Sequence, residues 1–528
     1  MRREAHLDPR PANFAPLTPL DFLRRSIEVF PAKTAVVAGA RRLSYTDLGE
    51  LVGRLAAGLR RSGIGRGDVV SVIAGNTPEL LALHFAVPLT GAVLNAINTR
   101  LDPATVAHIL AHAEARLVMA DAERAPLARA ALAQGGLETP LVTLDALSLA
   151  GFTEGLPPLP VSLDAVADEW QPISLNYTSG TTGSPKGAVY HHRGAHLNAL
   201  GNVMALGFDE RSVYLWTLPM FHCNGWCHPW AVTAVGGTHV CLDRPDPAAI
   251  VAALREEAVT HFACAPVVLY NLLHQGREQS PRLPRRVRVA TGGAAPTTAL
   301  IEGLDAMGIE LIHLYGLTES YGPVTACAER ADWGEPDAAE KARLLARQGV
   351  RHPLAAEVAV VDAAGEPVPM DGATMGEIVI RSNTLMAGYL KDRAATEAAF
   401  RDGRLNTGDL AVRHPDGFIQ IRDRAKDVII SGGENISSLE VEGVLHQHPA
   451  VLLAAVVAVA DEKWGEAPVA CLELKPGQAA PPAAELEAFC RDRLAHFKVP
   501  RRFVLRELPK TATGKIQKFQ LRAELALD

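Results

Sequence analysis

Two hydrophobic periods alternate over residues 19–121, and that alternation is the strongest constraint on what this chain can fold into. Apolar residues recur at helical spacing in 21–29, 44–62, 78–90 and 103–113, and strand-like runs occupy 34–37, 68–74, 92–98 and 116–120. Ser44 stands where a serine cap opens the second helix. Strands separated by helices return to the same sheet through crossovers, so the pattern predicts an α/β fold with a mostly parallel sheet covered by helices. The alternation resumes with a helix over 194–206 and strands over 212–218, 238–242 and 260–265, which predicts a second, related sheet. Strands at 286–290 and 310–315 break into 291–296 and 316–319, at strand C-terminal ends where open α/β sheets bind ligands.

From about residue 358 the texture changes. Short strand candidates at 358–361, 376–381 and 417–421 are separated by Gly, Pro and Asp turns, as in a β-rich subdomain. Beyond Arg424 an α+β pattern follows, with elements at 427–430, 438–446, 452–459, 468–474 and 483–494. A chain of 528 residues exceeds what one core fills, and about three domains or subdomains are expected.

Composition narrows the partners. A hydrophobic fraction of 48% with net charge -7 describes a globular chain with no polyanion-binding bias, which excludes nucleic acid. The longest apolar run, 451–460, falls short of the ~20 residues of a membrane helix and reads as a buried strand; no integral membrane segment is expected. Residues 1–16 lack the apolar core of a secretory signal. Seven cysteines without short regular spacing read as reduced buried thiols in a cytoplasmic protein. The cluster His222, Cys223, Cys227 and His228 surrounds Trp226 and reads as a packed segment in preference to a zinc knuckle.

The chemistry starts at residues 177–189, where Gly180, Gly183 and Gly187 let backbone N–H groups approach an anion. Thr178, Ser179, Thr181, Thr182 and Ser184 add hydroxyl donors, and Lys186 adds a positive charge. Such a loop suits polyphosphate and points to ATP. It is not a Walker loop, because Pro185 precedes the lysine and Gly187 follows it. A strand over 173–177 leads into it, which sets aside a flexible linker. Glu319 beside Thr318 suits Mg2+ bound with phosphate, although a Thr-Glu pair also reads as a helix cap. Tyr315 offers a ring to a base, or to the core. Asp409, expected on a turn after a helix, offers a carboxylate to ribose hydroxyls. The charge run 423–427 reads as a solvated linker, and Lys515 follows a glycine turn in the C-terminal basic segment.

In this order, the segments 177–189, 315–319, 406–409, 424–427 and 513–515 resemble the core motifs of the adenylate-forming superfamily, and within it those of acyl-CoA synthetases. The resemblance implies a large N-terminal domain, 1–424, of two α/β subdomains and a β-rich one. A hinge at 425–427 would join it to a small mobile α+β domain, 428–528. It further implies that Thr178, Ser179, Gly180, Thr181, Thr182, Gly183 and Lys186 hold the β- and γ-phosphates of ATP, with Thr181 and Glu319 placing Mg2+. Gly292, Gly293, Ala294, Ala295 and Pro296 would bracket adenine with Tyr315, and Asp409 and Arg424 would hold the ribose; Gly316, Thr318 and Ile421 belong to the same nucleotide-binding set.

In the same resemblance Lys515 contacts the substrate carboxylate and the α-phosphate. Rotation at Lys426 withdraws it and presents Ser431, Gly432, Gly433 and Glu434 to the arm of coenzyme A. The stretch 214–226 is similar to one in ligases for short and medium acyl chains, including methylmercaptopropionate-CoA ligases. Trp216, His222, Asn224, Gly225 and Trp226 would line the acyl site, with Trp226 limiting chain length and His222 near the carboxylate. The implied catalytic set is Lys515, Glu319, Lys426 and His222. The implied activity is an ATP-dependent carboxylic acid:CoA ligase acting through an acyl-adenylate on a short or medium, mainly apolar acid, as a homodimer. The alternatives are a methylmercaptopropionate-CoA ligase and an adenylation enzyme that serves a carrier protein. A non-catalytic nucleotide-binding module is set aside because Lys186, Glu319, Asp409 and Lys515 are all present.

Overall fold

The computed structural model describes residues 6, 8, 10–178, 185–276, 282–292, 298–510 and 516–526. The chain divides into two compact units, one of residues 1–345, 351–356 and 381–398, the other of residues 346–350, 357–380 and 399–528.

The first unit carries the two expected α/β sheets. One has the strand order Gly388–Tyr389, Lys186–His191, Pro172–Thr178, Val93–Ala96, Val69–Ile73, Ala115–Ala120, Leu141–Thr143. From Pro172–Thr178 onward its neighbours pair in parallel, and the two strands at the other edge are antiparallel. The other sheet, edged by the two-residue strand Val350–Arg351, continues from Gly322–Cys327 through Ile309–Leu317, Val287–Gly292, His261–Cys264, Val213–Trp216, Thr238–Cys241 and Thr34–Ala38 to Arg41–Ser44. Its interior is parallel, with antiparallel pairings at Gly322–Cys327 and Arg41–Ser44.

Helix starts follow the caps in the sequence. Ser44 and Asp47 form a reciprocal capping box for Tyr45–Arg61, satisfying two N–H groups that the first turn leaves unpaired. Asp102 and Asp246 cap Pro103–His112 and Pro247–Glu256, each with proline pre-set for the first helical position. Pro78–Leu89 is apolar all round and buried along almost its whole length. It touches strands of both sheets, which is why no polar stripe interrupts it.

Two strand-level expectations need adjusting. The strand expected over 310–315 continues to Leu317, with a register shift between Tyr315 and Gly316. A Cβ at Gly316 would fall 2.0 Å from the Gly322 carbonyl oxygen, so glycine is what lets the two antiparallel strands close there. The second adjustment concerns Asp409. It lies within strand Arg404–Arg413, not on a turn after a helix, and it pairs in register with Arg424 of strand Ile419–Arg424. The Asn-Thr-Gly run carries turn chemistry, but Gly408 at φ +71 is absorbed in the ladder with its N–H donating to Glu377 Oε1 at 2.9 Å.

The second unit carries the β-rich sheet, ordered Ala355–Val361, Met375–Ser382, Arg404–Arg413, Phe400–Arg401, with Ile419–Arg424 on Arg404–Arg413. A further sheet is ordered Glu434–Ile436, Ile429–Ser431, Gly465–Leu474, Val451–Asp461, with Arg502–Leu505 parallel to Gly465–Leu474. The apolar run near residue 451 is thus a buried strand. One core joins this sheet to the helices Ser438–Leu445 and Ala483–Arg491, and a second joins it to Lys518–Leu525. The charge run 423–427 is not a solvated linker. Asp423 is buried and accepts from the Ser438 N–H and hydroxyl, the latter at 2.9 Å, and Asp427 accepts from Arg522 at 2.7 Å.

Candidate active site

Of the expected site residues, Ser179, Gly180, Thr181, Thr182, Gly183, Gly293, Ala294, Ala295, Pro296 and Lys515 lie outside the described residues. The remainder divide between the two units.

In the first unit, Thr178 and Lys186 face each other across the antiparallel pair that flanks residues 179–184. Glu319 sits on the turn between Ile309–Leu317 and Gly322–Cys327, and this turn is tied to the Lys186 strand. The Tyr190 hydroxyl donates to the Thr318 carbonyl at 2.7 Å. Met386 N–H donates to the Glu319 carbonyl at 2.8 Å, and the Tyr389 hydroxyl donates to Glu319 Oε1 at 2.6 Å. Lys186 Nζ lies over the Tyr389 ring, 5.1 Å from its centroid. Lys186 and Glu319, expected to serve phosphate and metal, therefore meet on one aromatic side chain.

Beneath them the backbone is unusual. Cys223, Asn224, Gly225, Trp226 and Cys227 all have φ between +47 and +63, a left-handed turn that disfavours residues bearing a Cβ. Side-chain and backbone groups around it hold it in place. Asn224 Oδ1 accepts from Ser174 at 2.9 Å and from Tyr321 at 3.0 Å, and Asn202 Nδ2 donates to the Trp226 carbonyl at 2.9 Å. A Cβ at Gly225 would come 2.6 Å from the Trp216 ring, so Trp216 packs directly on this glycine. Trp216 is fully buried and donates from Nε1 to His239 at 3.2 Å; Trp226 is half-buried with its ring against Gly292. His222, also half-buried, enters the turn with its N–H on the Pro219 carbonyl at 3.1 Å. Tyr315 is buried and Gly316 exposed.

Electrostatics argue against thiol chemistry here. Burial pushes the Cys223 thiol up to about 12, so it is protonated and non-nucleophilic at neutral pH. Burial also raises the Cys227 thiol, which accepts from Asn198 at 3.3 Å. His228 is held down to about 3 by burial and three neighbouring histidines, and its Nδ1 is engaged by the Tyr214 hydroxyl at 2.8 Å. Among the described residues no group of three or more His, Cys, Asp or Glu side chains is arranged to hold a metal ion.

In the second unit, Arg424 Nε lies 3.1 Å from Asp409 Oδ1, and the Asp409 side chain is only 4% exposed. Ile421 N–H donates to Gln348 Oε1 at 2.5 Å. Lys426 is exposed at the head of the segment that follows, its ammonium lowered by partial desolvation and by Arg424. Ser431 and Glu434 close a two-residue hairpin through Gly432 and Gly433, whose φ values of +61 and +87 suit glycine. Tyr190, Tyr321 and Tyr389 were not legible as site residues, since an aromatic beside a strand reads first as core.

A two-sheet α/β unit whose antiparallel pair flanks a glycine-rich segment of sequence, with Lys186 and Glu319 both held on Tyr389, and an α+β region later in the chain are the features expected of a nucleotide-dependent activating enzyme. Residues 23–390 match the AMP-binding enzyme family and residues 440–515 its C-terminal domain, so the chain belongs to the AMP-binding enzymes, as an acid–thiol ligase of the acyl-CoA synthetase type. It is 45% identical to an acetate–CoA ligase of Humulus lupulus, over 97% of this chain and 95% of that one. It is 44% identical to a peroxisomal acetate/butyrate–CoA ligase of Arabidopsis thaliana, again over 97% and 95%. Among solved structures it is similar to an anthranilate CoA ligase in complex with anthranoyl-AMP, with a TM-score of 0.85, 27% identity, and coverage of 98% of this chain and 99% of that one.

Proposed function

We propose that this protein joins a short-chain, mainly apolar carboxylic acid to coenzyme A, splitting ATP to AMP and pyrophosphate through an acyl-adenylate. The observation that carries this reading is the likeness to acetate– and butyrate–CoA ligases over nearly the whole length of both chains. Thr178 to Lys186 hold the β- and γ-phosphates as pyrophosphate leaves, the hydroxyls as hydrogen-bond donors and Lys186 as the positive charge. Attack of a carboxylate on the α-phosphorus brings two anions together, and Lys515 stabilises the charge that develops there. Asp409 and Arg424 hold the ribose, supported by their 3.1 Å pairing on adjacent strands. Gly292 with 293–296 and Tyr315 bracket adenine.

A magnesium ion fits the donor set: one Glu319 oxygen is taken by Tyr389, and Oε2 has no hydrogen-bond partner among the described residues. Glu319 and Thr181 would hold the ion, which when bound offsets phosphate charge. In the second half-reaction the thiol of coenzyme A attacks the mixed anhydride and AMP departs, so no protein nucleophile is required. The inert, buried Cys223 accords with that. Residues 428–528 rotate about the hinge 425–427 at Lys426, withdrawing Lys515 and bringing the Ser431–Glu434 hairpin to the pantetheine arm. His222 and the Trp226 ring against Gly292 bound the acyl site, with Asn224, Gly225 and Trp216 as its wall. Seven free cysteines, all buried, accord with a cytoplasmic location. Among the described residues no helix is long and apolar enough to cross a membrane. A homodimer is the assembly we expect, readable by sedimentation.

The test is incubation with ATP, Mg2+ and a panel of carboxylic acids, with and without coenzyme A, following pyrophosphate, AMP and thioester. Acetate to butyrate are expected to give all three, with 3-methylthiopropionate in the panel to read the alternative substrate. No acid-dependent nucleotide turnover would reject the enzyme reading, and turnover that halts at acyl-AMP despite added coenzyme A would favour a carrier-protein acceptor. Lys515→Ala is expected to abolish adenylation yet convert supplied acyl-AMP to thioester; equal loss of both half-reactions rejects the rotating lysine.

A further inference from the structure

We propose that Tyr389 is the positioning residue of the phosphate end of this site, orienting the Glu319 carboxylate and the Lys186 ammonium from a single phenol. The inference rests on the reading that Glu319 and Lys186 serve ATP. The hydroxyl donates to Glu319 Oε1 at 2.6 Å, and Lys186 Nζ stands 5.1 Å from the ring centroid. A carboxylate bonded at one oxygen can no longer rotate freely, so its other oxygen is presented in one direction. A lysine over an aromatic face is likewise confined by the ring quadrupole while its three N–H donors stay available to phosphate.

The phenol is itself fixed. Strand Gly388–Tyr389 pairs with the Lys186 strand, Tyr389 opposite Ala188 and Gly388 opposite Val189. Leu390 N–H donates to the Gly187 carbonyl at 2.8 Å, Ala387 N–H to Val189 at 2.7 Å, and Tyr389 N–H to Thr396 Oγ1 at 2.9 Å. Met386, three residues earlier, holds the Glu319 carbonyl. One short strand thus sets the distance between the lysine and the carboxylate, and disturbing it moves both.

The two contacts separate by mutation of the full-length protein. Tyr389→Phe keeps the ring under Lys186 and removes the bond to Glu319; Tyr389→Leu removes both. The measurements are Mn2+ affinity of the protein with α,β-methylene ATP, by electron paramagnetic resonance of free Mn2+, and affinity for that nucleotide at saturating Mn2+, by calorimetry. Tyr389→Phe is expected to weaken Mn2+ by roughly tenfold, the size of one charge-assisted hydrogen bond, and to leave nucleotide affinity within about twofold. Tyr389→Leu is expected to weaken the nucleotide as well, by roughly threefold. Glu319→Gln is measured alongside. If it leaves Mn2+ affinity unchanged, the reading of Glu319 as a metal ligand fails. If it weakens Mn2+ while Tyr389→Phe does not, the positioning role of Tyr389 is overturned on its own. Thermal unfolding of each variant confirms that the native fold is what is being titrated.

Discussion

Tyr321 lies flat on Tyr190, with ring centroids 3.6 Å apart and planes 5° from parallel. Through that stack the turn that carries Glu319 is registered against the strand that carries Lys186. Tyr321 itself is at φ +62 and fully buried, and its hydroxyl reaches Ser174 at 2.6 Å and Asn224 at 3.0 Å. The paired strands that carry Ser174 and Tyr190, the turn at Asn224 and the turn at Tyr321 are thereby held in one arrangement.

Removing that hydroxyl leaves buried polar partners with one bond fewer. Tyr321→Phe is expected to lower stability by about 1–2 kcal/mol, because Ser174 and Asn224 still bond each other. Tyr321→Leu, which also removes the stack, is expected to lose about 3–5 kcal/mol and to slow acid-dependent pyrophosphate exchange in the fraction that folds. Urea unfolding and the exchange assay read the two effects.

Gly225 sits at φ +56 with the Trp216 ring where a Cβ would go. Gly225→Ala is expected to cost about 2–4 kcal/mol from overpacking and backbone strain. Adding Trp216→Leu is expected to return part of that loss. A double variant no more stable than the sum of its singles would contradict the contact.

Acid is expected to destabilise this protein before carboxylates titrate. Burial lowers His239 and His228 to about 3, and His84, His352 and His446 to about 4, from 6.5. These groups are neutral in both states above the unfolded pKa. Between about pH 6.5 and 4 the unfolded chain binds the protons, so stability falls with pH by about 1.4 kcal/mol per unit for each such histidine. Urea midpoints that rise on acidification from pH 7 to pH 5 would contradict the burial of these rings.

In the second unit, Lys518 lies 2.7 Å from Glu442, with side chains only 12% and 9% exposed. Lys518→Met strands a buried carboxylate and is expected to cost about 3–5 kcal/mol, and Lys518→Met with Glu442→Leu to recover most of it. Burial already raises Glu442, and without Lys518 it rises further. A raised native pKa lends stability at low pH that is lost as pH climbs through it. The single variant is therefore expected to be closer to the parent at pH 5 than at pH 8, a difference urea melts at the two values will show.

What the sequence disclosed follows from where its information is local. Alternating periods gave both sheets, Ser44 gave its cap, and the strand expected ahead of the glycine-rich segment is Pro172–Thr178. Asp409 was misjudged because Asn-Thr-Gly is turn chemistry that a neighbouring strand overrode through Glu377. The left-handed run 223–227 was hidden because only Asn224 and Gly225 favour it locally, and long-range partners such as Ser174, Asn202 and Tyr321 stabilise the rest. Tyr389 was hidden for the same reason: its meaning lies in Glu319, 70 residues earlier in the chain.

The central claim is that the acid is activated on the α-phosphate of ATP. It is tested most directly by supplying butyrate labelled with 18O in both carboxylate oxygens, with ATP, Mg2+ and coenzyme A, and weighing the products by mass spectrometry. Passage through an acyl-adenylate transfers one 18O to AMP, leaves pyrophosphate unlabelled and keeps the other 18O in the thioester. Label in orthophosphate or pyrophosphate with unlabelled AMP would contradict it.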